Sequence, residues 1–147
     1  MKSLVRAALL TILIAASVAI TARGEDMPYT EGPVVDMTFV RLKSGGEDAY
    51  LNFLATQWKA TNEAAKKDGL ILSYRVVSAT AANRDDWDLM LIIEYKNMAA
   101  LDGLEAKMRP IMEKLAGSIA KANEQATKRD EVREIVGEKI GRELILK

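Results

Sequence analysis

Apolar and polar positions alternate from Val34 to Leu42, where Val35, Met37 and Phe39 interleave with Asp36 and Thr38 behind Pro33; this is the period of a half-buried strand. A second alternation covers Leu70 to Thr80, with Leu72, Tyr74 and Val76 set against Ser73, Arg75 and Val77. The third run, Trp87 to Tyr95, contains an unbroken apolar core from Leu89 to Ile93, bounded by Asp85-Asp86 and by Lys96-Asn97. A strand covered on both faces has that pattern. Lys139 to Leu146 predicts a fourth strand.

Helical periods fill the gaps. Ser44-Gly45-Gly46-Glu47 predicts a turn in which Ser44 caps a helix and Glu47 reaches back to the cap. The helix places Tyr50, Leu54, Trp58, Thr61 and Ala65 on one stripe and ends at Gly69, in the left-handed position that glycine tolerates. Asn97 predicts the cap of a second helix with the stripe Leu101, Leu104, Met108, Ile111, Leu115 and Ile119, which Pro110 is expected to bend or divide. Lys121 to Glu134 mixes charges of both signs and reads as a solvated helical face, closed by Gly137. The order is β-α-β-β-α-β. It predicts an α+β, ferredoxin-like fold: a four-stranded antiparallel sheet with helices on one face.

Sorting the strands by alternation assigns Val35, Met37, Phe39, Leu72, Tyr74, Val76, Leu89, Leu91, Ile93, Ile140, Leu144 and Leu146 to the helix-covered face. The opposite face then holds Asp36, Thr38, Val40, Ser73, Arg75, Val77, Asp88, Met90, Ile92, Glu94, Glu143 and Ile145, and a slip of one residue exchanges the two sets on any strand. That second set is too apolar for water and too polar for an ordinary core. A second copy packed face to face satisfies both properties, so the expected assembly is a homodimer enclosing a partly polar space.

Composition narrows the chemistry. Lys2 and Arg6 precede an apolar run from Ala7 to Ile20 and then small residues, the layout of a cleaved secretory signal, so residues 1–22 are read as a signal peptide, 23–32 as a linker and 33–147 as the domain. The apolar run is short for a membrane span, and no stable membrane association is expected after cleavage. The whole chain balances 21 basic against 21 acidic residues, and removing the signal leaves 19 against 21, a charge distribution without the basic footprint of a nucleic-acid partner. There is no cysteine and no histidine, hence no disulfide, thiolate or imidazole. An exported, disulfide-free domain fits the bacterial periplasm or medium. The adjacent acids Asp85-Asp86 and Glu25-Asp26 read as turn formers, and no metal or cofactor is expected.

The stretch from Lys43 to Tyr50, Trp58, the segment Gly69 to Val76, and Trp87-Asp88 with Glu94 to Met98 together resemble the dimeric α/β-barrel superfamily. That group includes antibiotic-biosynthesis monooxygenase-like, EthD-like and NIPSNAP-like domains. The resemblance implies this fold and a face-to-face dimer over residues 33–147. The superfamily spans cofactor-independent oxygenases, haem-degrading enzymes, isomerases and domains without an assigned reaction; the missing histidine separates this chain from the haem enzymes and from many of the oxygenases. The favoured expectation is a small molecule bound between the two sheets, with Asp36, Arg75, Asp88, Met90, Glu94, Glu143 and Trp58 as candidate ligand-binding residues. Arg75 is expected either to meet the ligand or to pair with a cross-strand carboxylate. The alternative is a cofactor-independent monooxygenase or isomerase for an aromatic or polyketide-like compound, drawing on Arg75, Asn52, Tyr50, Tyr74, Trp58 and Trp87 with a carboxylate as base.

Overall fold

The computed structural model describes residues 27–147; the predicted signal segment lies outside the described residues. Strand β1 (Tyr29–Leu42) leads into α1 (Glu47–Phe53), which continues through a π-helical turn (Leu54–Trp58) into α2 (Lys59–Lys67). Strands β2 (Ser73–Ser78) and β3 (Leu89–Tyr95) follow. A 3₁₀ turn (Met98–Leu101), α3 (Leu104–Ala116), α4 (Ile119–Arg129) and β4 (Arg133–Leu146) complete the chain. The sheet order β2-β3-β1-β4, antiparallel throughout, is the ferredoxin-like arrangement. No helix among the described residues is long and apolar enough to cross a membrane.

Two apolar clusters join the helices to one face of the sheet. Val34, Tyr95 and Ile71 pack with Ala65 of α2 and Ile111 of α3, while Val40, Leu89 and Leu91 pack with Tyr50 and Leu54. Cross-strand partners share a face, and β1 pairs Val34 with Tyr95, Asp36 with Ile93, Thr38 with Leu91 and Val40 with Leu89. The even residues of β1 therefore face the helices, one residue out of phase with the expected assignment. Val35, Met37 and Phe39 lie on the other side. On β4 the expected alternation holds, since Ile140 pairs with Asp36 on the helix side, but the helices do not cover this edge strand and Ile140, Leu144 and Leu146 are all more than half exposed.

The local signals were met in part. The left-handed Gly69 forms as expected, and Asn97 does cap, its side chain accepting from Ala100 N at 3.1 Å, but it caps the 3₁₀ turn and not α3, which starts after left-handed Gly103. The Ser44 capping box does not: Gly46 is the cap residue, without any side-chain cap bond. Close approach explains the choice, since a Cβ on Gly46 would sit 2.4 Å from the Val132 carbonyl oxygen. The π turn widens the helical spacing, so the buried position after Trp58 is Asn62 rather than Thr61.

Helix α3 runs unbroken through Pro110. Both Pro110 and Ala106, whose carbonyl loses its usual donor, are exposed, so water can serve that carbonyl. The division falls instead at left-handed Gly117, after which Ser118 caps α4. Gly137 does not end a helix but lies within β4 at a register shift opposite Phe39. Strand β1 begins at Tyr29, inside the expected linker, and a second shift between Glu31 and Val34 accommodates Pro33, which has no N–H to give the ladder.

Candidate functional site

Reading the register across the sheet gives the uncovered face three rows. Val77, Met90, Phe39 and Gly137 form the first; Arg75, Ile92, Met37 and Lys139 the second; Ser73, Glu94, Val35 and Gly141 the third. The glycines on β4 leave room for their neighbours. Phe39 approaches Gly137 to 3.9 Å from where a Cβ would stand, and Met37 approaches Gly141 to 3.4 Å. Trp87 extends the first row with its ring 5.6 Å from that of Phe39, and the Lys139 ammonium stands 5.7 Å from the centre of the Phe39 ring. The result is a largely apolar surface with Ser73, Arg75 and Glu94 gathered at one corner and Lys139 at the opposite edge.

That corner is a network of three side chains. Glu94 accepts from the Ser73 hydroxyl at 2.5 Å and from an Arg75 guanidinium N–H at 2.5 Å, and these two bonds hold its carboxyl below the usual range. The pairing anticipated for Arg75 is thus present. Its guanidinium is still half exposed, with the Arg75 side chain at 51% against 22% for Glu94, so donors remain for a further acceptor.

Of the seven candidate residues, Arg75, Met90 and Glu94 come together on this face. Glu143 follows the alternation of β4 beyond the three rows and folds against Gly32. The others do not join them. Asp36 points to the helix side because β1 is slipped by one residue; burial and then the charge of Glu138 raise its carboxyl pKa, and its own charge adds to the burial that pushes the Tyr95 phenol up to about 12. Asp88 spends its carboxylate on the backbone N–H of Leu42 at 2.8 Å, tying the start of β3 to the end of β1. Trp58 lies in the helix layer, edge-on to Tyr74 at 5.2 Å. Tyr50 is also buried beneath the helices, so the residues named for an oxygenase divide between the two sides of the sheet. Asp86, read as a turn former, accepts the N–H groups of Ala82 and Trp87, each at 2.9 Å.

Trp58 helps to line a cleft of about 250 Å³ between the first helix, α3 and α4, together with Phe53, Met112, Leu115 and Arg129. Arg129 comes from the segment expected to be a solvated face. It turns inward, its guanidinium carbon 4.3 Å from the centre of the Phe53 ring, and Arg133 stands likewise 5.7 Å from the Tyr50 ring. Nothing in the sequence distinguished these two arginines within a run of mixed charge; only the return of the chain into β4 places them beside the aromatic pair.

No family model and no curated protein matches the chain. Among solved structures, the crystal structure of HapK from Hahella chejuensis aligns with a TM-score of 0.51 at 16% identity, over 75% of this chain and 91% of that one. The likeness is one of fold: a related small α/β domain.

Proposed function

We propose that the protein is a homodimeric member of the dimeric α/β-barrel superfamily whose two sheets face each other and hold a small molecule between them. The observation that carries this reading is the uncovered face itself. Val35, Met37, Phe39, Val77, Met90 and Trp87 form one apolar field on a side of the sheet that no described element covers, and such a field is unfavourable in water without a partner. A second copy supplies that cover by the same surface, as two-fold symmetry requires. Apolar walls with one polar corner are the usual make-up of a small-molecule site, and Arg75 at that corner is the group to meet an anionic or carbonyl oxygen of the guest. Export to the periplasm or medium remains part of this proposal, resting on the N-terminal pattern alone.

Sedimentation equilibrium of the processed chain at micromolar concentration tests the assembly, and a thermal-shift screen of apolar and anionic metabolites tests the guest. A dimer stabilised by a subset of them, with the stabilisation lost in Arg75→Ala, is the expected outcome. A single subunit at that concentration removes both the chamber and the reason to expect a guest.

A further inference from the structure

The cleft in the helix layer has a lining of one electrical sign. Among the described residues, Arg129 is its only charged lining residue and no aspartate or glutamate faces it; Phe53, Trp58, Met112 and Leu115 provide apolar walls. The neighbouring groove between α3 and α4, about 500 Å³, shares Met112 but includes both Glu105 and Arg109, so its charges cancel.

Arg129 has five N–H donors and, among the described residues, no hydrogen bond or ion pair from its side chain; its recorded partner is the face of Phe53. Behind it, Arg133 is 11% exposed in its side chain. Its Nε and Nη1 are buried without an acceptor, and only Nη2 approaches a carboxylate, Asp130, at 3.5 Å. Tyr50 and Phe53 stack at 5.7 Å, with one guanidinium over each ring. Two cations thus stand at one end of the cleft, with Asp130 pairing Arg133 at 3.5 Å and acting on Arg129 through its charge. Burial, and then the charge of Arg133, lower the pKa of Arg129, and a negative group in the cleft would favour its charged form against both.

We propose that this cleft binds a small carboxylate with an aromatic or short aliphatic body, its anion received by Arg129 under the field of Arg133 and its body held against Phe53, Trp58 and Met112. The size agrees. An apolar cavity of about 150 Å³ accepts benzene, so about 250 Å³ admits one ring with a short acidic arm. The cleft lies on the helix side of the sheet and is independent of the face-to-face dimer.

The two tryptophans report on the two places, since Trp58 lines the cleft while Trp87 belongs to the uncovered face. The experiment is a titration of the full chain with 3-phenylpropionate, and separately with the neutral 3-phenylpropanamide, following the two indole N–H signals by ¹H–¹⁵N spectroscopy with Trp87→Phe for assignment. The Trp58 signal is expected to move with a Kd of about 1 mM or tighter, and the acid to bind about tenfold or more tightly than the amide. Arg129→Gln removes that preference. Gln57→Glu, at an exposed helical position on the cleft wall, guards against misfolding of the arginine variant and is also expected to weaken the acid about tenfold or more.

A Trp58 signal silent to about 10 mM acid overturns the proposal, as does equal binding of acid and amide or a preference retained in Arg129→Gln. Movement of Trp87 alone overturns it too, while leaving the inter-sheet reading intact. A monomeric protein whose Trp58 signal still responds gives the reverse pattern.

Discussion

Replacing Gly46 with alanine tests how the first helix is seated against β4. The φ and ψ of Gly46, −92° and −7°, suit any residue, so the cost comes from contact and not from backbone conformation. A Cβ there would meet the Val132 carbonyl oxygen at 2.4 Å and the Val132 Cα and Cβ at 2.9 Å, and reaching even 3.0 Å requires the two segments to part by about 0.6 Å. Neither side yields easily. Lys43 N donates to that same carbonyl at 3.0 Å, Gly46 N donates to Lys43 O at 2.8 Å, and Tyr50 N donates to Gly46 O at 3.0 Å. Overpacking of this kind costs about 1–3 kcal/mol, and rupture of the Lys43 bond adds about 1 kcal/mol. The stiffer unfolded chain returns about 0.4–1 kcal/mol. The net loss is about 1–4 kcal/mol, which lowers the urea midpoint by about 1 M or more. Gly45→Asn is the control, because Gly45 has φ +75° with nothing near its Cβ position, and asparagine tolerates that region. Urea unfolding at matched protein concentration decides the matter. A Gly46→Ala midpoint equal to wild type, or a larger loss in Gly45→Asn, refutes the steric account.

Val77→Lys, at a position 37% exposed on the uncovered face, leaves protomer stability within about 0.5 kcal/mol but places an unpaired charge from each copy in the interface, so sedimentation equilibrium is expected to show dimerisation weakened about 100-fold or more. The Ser73 and Arg75 bonds keep the folded carboxyl of Glu94 below its ordinary value of 4.5; their stabilisation is full above that value and lost as pH falls through the lowered one. Urea midpoints taken into the acid range are therefore expected to fall less steeply in Glu94→Gln than in wild type, and parallel curves count against the network. Burial and Asp36 push the Tyr95 phenol up to about 12 from 10, so its contribution is full below 10 and declines between those values; ultraviolet titration is expected to show a step near 12 that is lost in Tyr95→Phe.

The elements with one dominant period were readable in the sequence. The unbroken Leu89–Ile93 run identified the central strand β3, and the helical stripe through Tyr50 and Leu54 identified the inward face of α1. Other features depended on contacts between distant segments. Gly137 reads as a helix stop in a charged sequence, yet in the sheet it leaves space for Phe39 and lies at a bulge in β4. Asp88 looks like a site carboxylate until the Leu42 N–H is found 2.8 Å away. Arg129 and Arg133 resemble any exposed cations, because their apolar partners Phe53 and Tyr50 lie some eighty residues earlier and meet them only after the sheet closes.

The slip in β1 has the largest functional consequence, and its origin is physical. Both alternants of the strand are apolar enough to be buried: Val34 and Val40 on one, and Val35, Met37 and Phe39 on the other, so period alone leaves the face undetermined. Shape decides. The small Val34 and Val40 fit, fully buried, under Ala65 and Tyr50, whereas Met37 and Phe39 use the open space over Gly141 and Gly137. The choice has a cost, since it carries Asp36 to the helix side, where burial disfavours its charge. The same choice transfers the larger β1 side chains to the uncovered face and removes a carboxylate from it. That face is consequently more apolar than the alternation implied, and Arg75 with Glu94 becomes its polar corner. The proposed face-to-face pairing therefore gains more support from the folded chain than from the hydrophobic pattern alone.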